Sequence, residues 1–220
     1  MIRTLVSATT IFFAGAVALA ADDYPDQTPD GLTRDNAEQD VVLYWLEDSN
    51  LSAYNKVRIL DCQVAFEEHW QRDFNRNVAG PGGRVSDEDM DEIKTNLAET
   101  VRAVFSEELS QKGYQVVSSV GEDVLLLRPA IMNLDVTMPH RRTPKVDLSV
   151  ATSAGSMTFY MEVYDSVTVS KIGLLIDQEI LQSNLTYSGG SQATTKSEVS
   201  HLMRGWVGEV IERLDNARAN

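Results

Sequence analysis

The chain has 220 residues, with 19 Lys and Arg against 33 Asp and Glu, a formal net charge of −14 with His neutral. That balance argues against nucleic acid as a partner, because phosphate binding needs clustered Lys and Arg, and against non-specific docking on anionic lipid. Cys62 is the single cysteine, so no intramolecular disulfide can form, and stability has to come from the core.

Residues 1–20 read as a cleaved signal peptide. Arg3 supplies a positive start, and an uncharged, largely apolar run extends from Leu5 to Val17. Ala18-Leu19-Ala20 then places small residues at the two positions a signal peptidase reads, and the composition turns acidic in Ala21-Asp22-Asp23. Cleavage is expected between Ala20 and Ala21. The run is shorter than the roughly 20 apolar residues of a spanning helix, and a lipid anchor would need Cys where Ala21 stands. The mature product is therefore expected to be periplasmic, with no transmembrane segment and no lipid anchor. Its 200 residues carry 18 basic and 33 acidic side chains, a net charge of −15, and suffice for one domain.

Residues 21–40 hold Pro25, Pro29 and Gly31 among many charges without an apolar period, and read as a flexible leader. A single α+β domain is expected over 41–217. Val41 to Leu46 fits a short strand or a tucked arm. Lys56 to Phe66 alternates as a strand, with Val57, Ile59, Val64 and Phe66 among polar residues. Cys62 in this run reads as a small buried hydrophobe. Gly80-Pro81-Gly82-Gly83 is a loop. It lacks the Gly-Lys-Ser/Thr ending of a phosphate loop, and Pro81 removes an amide such a loop would use.

A long helix follows. Ser86 is placed as N-cap, with Asp87, Glu88 and Asp89 in the first turn. Met90, Ile93, Leu97, Val101, Val104, Phe105 and Leu109 form its apolar stripe, and Gly113 ends it. Tyr114 to Ser118 reads as a short strand and Val124 to Thr137 as a long one. Pro129 in the long strand predicts a bulge or an unpaired edge there. Gly155 to Asp165 and Ile172 to Leu181 pair as a hairpin across 165–170. Residues 186–197 are rich in Ser, Thr and Gly and read as mobile. A last helix from about Ser197 to Arg213 carries Val199, Leu202, Met203, Trp206, Val210 and Leu214 on its inner stripe. The order implies an α+β fold, a mixed, largely antiparallel sheet of about five strands with two amphipathic helices on one face.

Several stretches resemble one bacterial family. They are Asp30-Gly31-Leu32-Thr33, Ser52 to Val57, Phe74-Asn75-Arg76, Val85 to Met90, Asp123-Val124-Leu125 with Arg128 to Ile131, and Ala154 to Thr158 followed by Tyr164-Asp165-Ser166. Together, over roughly residues 30–215, they are similar to domain of unknown function 3313. The resemblance implies a Gram-negative envelope protein. Family members are often predicted lipoproteins, a pattern from which this chain departs by lacking the lipid-bearing Cys. The family supplies no active residues to carry over.

The candidate chemistry is sparse. Glu67-Glu68-His69 with Asp73 lacks a second His at ligand spacing, so no metal is expected. His69, His140 and His201 lie far apart in sequence, and no Gly-x-Ser-x-Gly elbow exists. No motif points to a cofactor. Trp70, Arg72, Phe74 and Arg76 interleave aromatic and basic residues. They fit a stacking surface for a glycan or a partner protein, or core aromatics with solvated or paired arginines, the commoner outcome. Arg141, Arg142 and Lys145 form the only basic cluster, in a turn-rich connection where contact residues concentrate. The pattern favours a non-enzymatic envelope protein that binds an envelope protein or polymer through Arg141, Arg142 and Lys145 or through Trp70, Arg72 and Arg76. The alternative is a periplasmic hydrolase with an unrecognised Ser/His site.

Overall fold

The computed structural model describes residues 24–35, 41–77, 83–136, 155–181 and 192–219. The expected signal peptide, its cleavage point at Ala20 and Ala21, and the basic cluster Arg141, Arg142 and Lys145 lie outside the described residues. The order is β1 (Thr33–Asp35), β2 (Val41–Trp45), a 3-10 turn (Leu51–Ala53), β3 (Lys56–Ile59), β4 (Gln63–Phe66), α1 (Trp70–Asn77), α2 (Asp87–Gln111), β5 (Gln115–Val116), β6 (Val124–Val136), β7 (Gly155–Asp165), β8 (Lys171–Leu181) and α3 (Gln192–Ala219). Among the described residues, no helix is long and apolar enough to cross a membrane.

The α+β class with a mixed sheet is as expected, but among the described residues the sheet has eight strands rather than about five, and the α-helices are three rather than two. The strand order is β1-β2-β8-β7-β6-β3-β5, with β4 also paired to β6. β1, β2, β8, β7 and β6 pair antiparallel in succession, while β3 and β4 run parallel to β6 and β5 runs parallel to β3. Parallel pairing demands a crossover. Here α1 and α2 supply it, which brings α2 onto one face of the sheet.

α2 forms for local reasons. The Ser86 hydroxyl accepts from the Asp89 amide, and the Asp89 carboxylate accepts from the Ser86 amide, satisfying two donors that a helix start leaves open. Ile93, Leu97, Val101, Val104, Phe105 and Leu109 are buried, each worth about 1.5–3 kcal/mol relative to exposure. Gly113, at φ +87, closes the helix in the left-handed conformation. α3 lies beside α2, tied by Arg204 to Glu108 at 2.9 Å. It begins earlier than the stripe predicted, so 192–197, expected to be mobile, is helical. The inward residues of both helices and of β6, β7 and β8 form one core.

Residues 24–35, expected as part of a flexible leader, are instead folded against the domain. Leu32 is fully buried with Val42, Tyr44 and Ile176 on the face of the sheet away from α2 and α3. Thr33–Asp35 adds a strand to the β2 edge. The Tyr44 hydroxyl donates to the Pro25 carbonyl at 2.8 Å. Lys171 reaches Asp30 at 2.8 Å, and Arg213 reaches Asp35 at 3.0 Å.

The expected strand Lys56 to Phe66 is two strands separated at 60–62, and Pro129 explains the break. The β6–β7 register runs unbroken from Leu125 through Met132, so there is no bulge at Pro129. The interruption lies in the neighbour instead. β3 ends opposite Leu127, the Leu60 amide donates to the Leu127 carbonyl, and β4 begins opposite Ala130. Pro129, which has no amide to offer, falls in the gap. The bulge of β6 lies further on, between Met132 and Asp135, where Asn133 takes φ +52. It resets the alternation, so that Ile131, Leu134 and Val136 all face the core.

Candidate functional site

One end of the sheet collects the segments that the sequence singled out. β6 finishes there at Val136 and β7 begins there at Gly155. The segment carrying Arg141, Arg142 and Lys145 leaves from this end and returns to it. β4 runs parallel to β6 and finishes beside it, Phe66 opposite Leu134, so α1 also starts at this end.

α1 holds Trp70 inward. The Trp70 ring stacks between Phe66 and Phe74, centroids 4.6 and 5.2 Å away. Its indole N–H donates to the Asp135 carboxylate at 2.9 Å. At 6 % exposure Trp70 is a core residue and presents no face on which a partner can stack. Arg72 lies along Asp73, with contacts of 3.0 and 3.2 Å, and Arg76 approaches the same carboxylate at 3.6 Å. The hydrogen bond from Arg72 holds the Asp73 carboxyl below the usual range. These charges are solvent-exposed, so the pairs add little stability. Asn75 clamps the returning chain, accepting from the Val85 amide and donating to its carbonyl.

Gly155 is required where the basic segment returns. Its φ is +156, and a Cβ there would sit 2.0 Å from the Asp135 carbonyl oxygen. Asp135 therefore joins the two candidate groups, with its side chain on Trp70 and its backbone against Gly155. No sequence signal revealed this, because it depends on β4 lying beside β6.

The outer face of the sheet carries a polar network. Arg128 contacts Glu162 at 3.3 Å, and Lys171 contacts Glu162 at 2.9 Å and Asp30 at 2.8 Å. Burial pulls the Lys171 ammonium down, but its hydrogen bonds to Asp30 and Glu162 outweigh that, and its pKa rises. A lysine so held is a charged strut and a poor nucleophile. Burial pushes the Cys62 thiol up to about 12, which leaves almost no thiolate at neutral pH. Burial, with the hydrogen bond to Asp165, lifts Tyr54 to about 12. Tyr114, buried and donating to Asp215 at 2.7 Å, is raised as well.

His69 lies exposed in a turn at φ +68, 3.2 Å from Glu68. His201 is exposed on α3, and His140 lies outside the described residues. Among the described residues, no serine hydroxyl bonds to His69 or His201, and no group of three or more His, Cys, Asp or Glu could hold a metal ion.

The family description "Protein of unknown function (DUF3313)" matches residues 20–210. The chain has no match among curated proteins. Among solved structures it is similar to a PelC dodecamer from Paraburkholderia phytofirmans, at 8% identity and TM-score 0.36 over 74% of this chain and 94% of that one. It is also similar to a Xanthomonas campestris protein of family DUF330, at 12% identity and TM-score 0.40 over 74% and 88%. A DUF4136 protein from Bacteroides thetaiotaomicron gives 12% and 0.37 over 77% and 94%. Likenesses this distant carry no functional argument. The match over residues 20–210 does settle kinship, and the chain belongs to the DUF3313 family, proteins of unknown function.

Proposed function

We propose that the protein is an exported component of the cell envelope that works by binding an acidic envelope protein or polymer, not by catalysis. Its contact is the basic segment Arg141, Arg142 and Lys145, with Arg72 and Arg76 of α1 beside its root. The observation that carries the reading is the contact of Trp70 with Asp135 at 2.9 Å. It pins α1 to the end of β6 from which the basic segment departs. In a chain of net charge −14, this segment is the one place where a polyanion meets clustered cations.

Capture from envelope extracts by the mature protein and by the Arg141→Glu/Arg142→Glu variant tests this. Loss of capture in the variant is expected, and unchanged capture removes the segment from the reading. Stoichiometric labelling of the folded protein by a serine-reactive phosphonate would replace binding with hydrolysis.

A further inference from the structure

The opposite end of the sheet exposes apolar side chains in a rigid frame. Val120, Val167 and Val169 are 57 %, 54 % and 63 % exposed, and Leu46 is 37 % exposed. Val167 and Val169 lie in the turn between β7 and β8, and Val120 lies in the connection from β5 to β6. Leu46 follows β2, its amide donating to the Ile172 carbonyl. The buried Ser166 locks turn to connection. Its hydroxyl accepts from the Gly121 amide at 3.1 Å and donates to the Gly121 carbonyl at 2.9 Å, and its amide donates to the Val124 carbonyl.

The turn itself is fixed by Asp165. One of its carboxylate oxygens accepts from the Val167 amide at 3.0 Å, the Thr168 amide at 2.6 Å and the Thr168 hydroxyl at 2.9 Å. Val169 takes φ +57, a conformation that suits Gly or Asn and strains a β-branched residue. Stability alone would place Gly at 169 and polar residues at 120 and 167. Strain retained to hold an exposed apolar side chain in a pre-organised loop is a mark of a contact site.

Charge selects the occupant. Glu47, Asp48 and Glu122 are exposed around this end and have no hydrogen-bond or ion-pair partner among the described residues. Of its lysines, Lys56 is matched to Asp123 at 2.9 Å and Lys171 to Asp30 and Glu162, and Lys112, exposed just beyond α2, leaves the three acids in excess. An anionic lipid surface would be repelled by those acids. A second copy meeting this end symmetrically would set acid against acid. We infer that this end docks a partner protein presenting an apolar pocket rimmed by Lys and Arg. This surface lies at the opposite end of the sheet from Val136 and Gly155, and its test can fail without the proposed binding role failing.

The test places the photo-crosslinker benzoylphenylalanine at position 167 of the full chain in exporting cells, with position 92 on the exposed face of α2 as control. The expected product joins position 167 to apolar residues of another protein flanked by Lys or Arg. Its yield should fall roughly tenfold in Val120→Ser/Val169→Ser and in Glu47→Lys/Glu122→Lys, with thermal midpoints unchanged. The charge reversals lie on exposed residues, so they keep the test decisive if the valine variant unfolds. Crosslinks only to lipid, to a second copy or to an acidic surface, or none above the control, overturn the proposal.

Discussion

Trp206 of α3 lies flat on Phe159 of the central strand β7, ring centroids 3.9 Å apart and planes 5° from parallel. Its indole N–H donates to the buried Asp177 of β8 at 2.6 Å. Phe105 of α2 meets the same Phe159 edge-on, centroids at 6.1 Å. Both long helices are thus registered on one residue of the sheet. Trp206→Ala should cost about 3–5 kcal/mol, from lost burial and a cavity. Trp206→Phe keeps most of the burial and loses the bond to the carboxylate, worth roughly 1.5–3 kcal/mol. Urea denaturation measures both, and a Trp206→Phe variant as stable as the parent would deny Asp177 a share.

Two glycines should not tolerate alanine, for different reasons. At Gly155 a Cβ would meet the Asp135 backbone carbonyl, so the strands themselves must part, at a cost above the roughly 1–3 kcal/mol of ordinary overpacking. At Gly173 the Cβ would lie 2.5 Å from the buried Trp45 ring, which is covered by the Arg213 guanidinium at 5.7 Å. That ring can shift, so Gly173→Ala should stay within the overpacking range. The denaturation midpoints order the two variants, and a milder effect at Gly155 would contradict the geometry.

Alkaline pH should weaken the fold. Burial, then the bond to Asp165, raises Tyr54 from the usual 10 to about 12. An acid whose folded pKa is raised holds its proton more tightly when folded. Its stabilisation is complete below pH 10 and disappears as pH climbs from 10 to 12. Stability measured at pH 9 and pH 11.5 should fall less in Tyr54→Phe than in the parent. An identical fall in both would assign the loss to other groups.

Cys62 should resist modification while the protein is folded. It is buried, and its thiol is pushed up to about 12. A disulfide reagent at pH 8 is expected to react at a rate limited by opening of the β3–β4 region, and then rapidly in denaturant. Immediate reaction of the native protein would place the thiol at the surface.

Elements whose signals are local were readable along the chain. The Ser86 N-cap with acids in its first turn, the stripe from Ile93 to Leu109 at three-and-four spacing and the closing Gly113 are all signals within a single helix. The β7–β8 hairpin was equally plain, because pairing across a six-residue turn follows from adjacent alternating runs. Elements that depend on distant neighbours were missed. Leu32 is buried only because Val42, Tyr44 and Ile176 meet over it, so β1 looked like leader. The split of β3 from β4 showed only as a slip of phase, with odd positions Val57 and Ile59 giving way to even positions Cys62, Val64 and Phe66, and the run read as one strand. Trp70 showed an aromatic and basic pattern that reads equally as surface or core until Phe66, Phe74 and Asp135 close around it.

The amino-acid sequence alone determined the net charge, the absence of an internal disulfide, the limits of α2 set by its cap and its closing glycine, and the family to which the chain is similar. Those properties belong to single residues or short windows. The tertiary structure decided what pairing across the sheet controls. Only there does Asp135 join α1 to the root of the basic segment, and only there do Val120 and Val169, 49 positions apart, share one end. Contacts between distant segments arise when strands fix their register, and no local pattern encodes a register set by seven strand pairings.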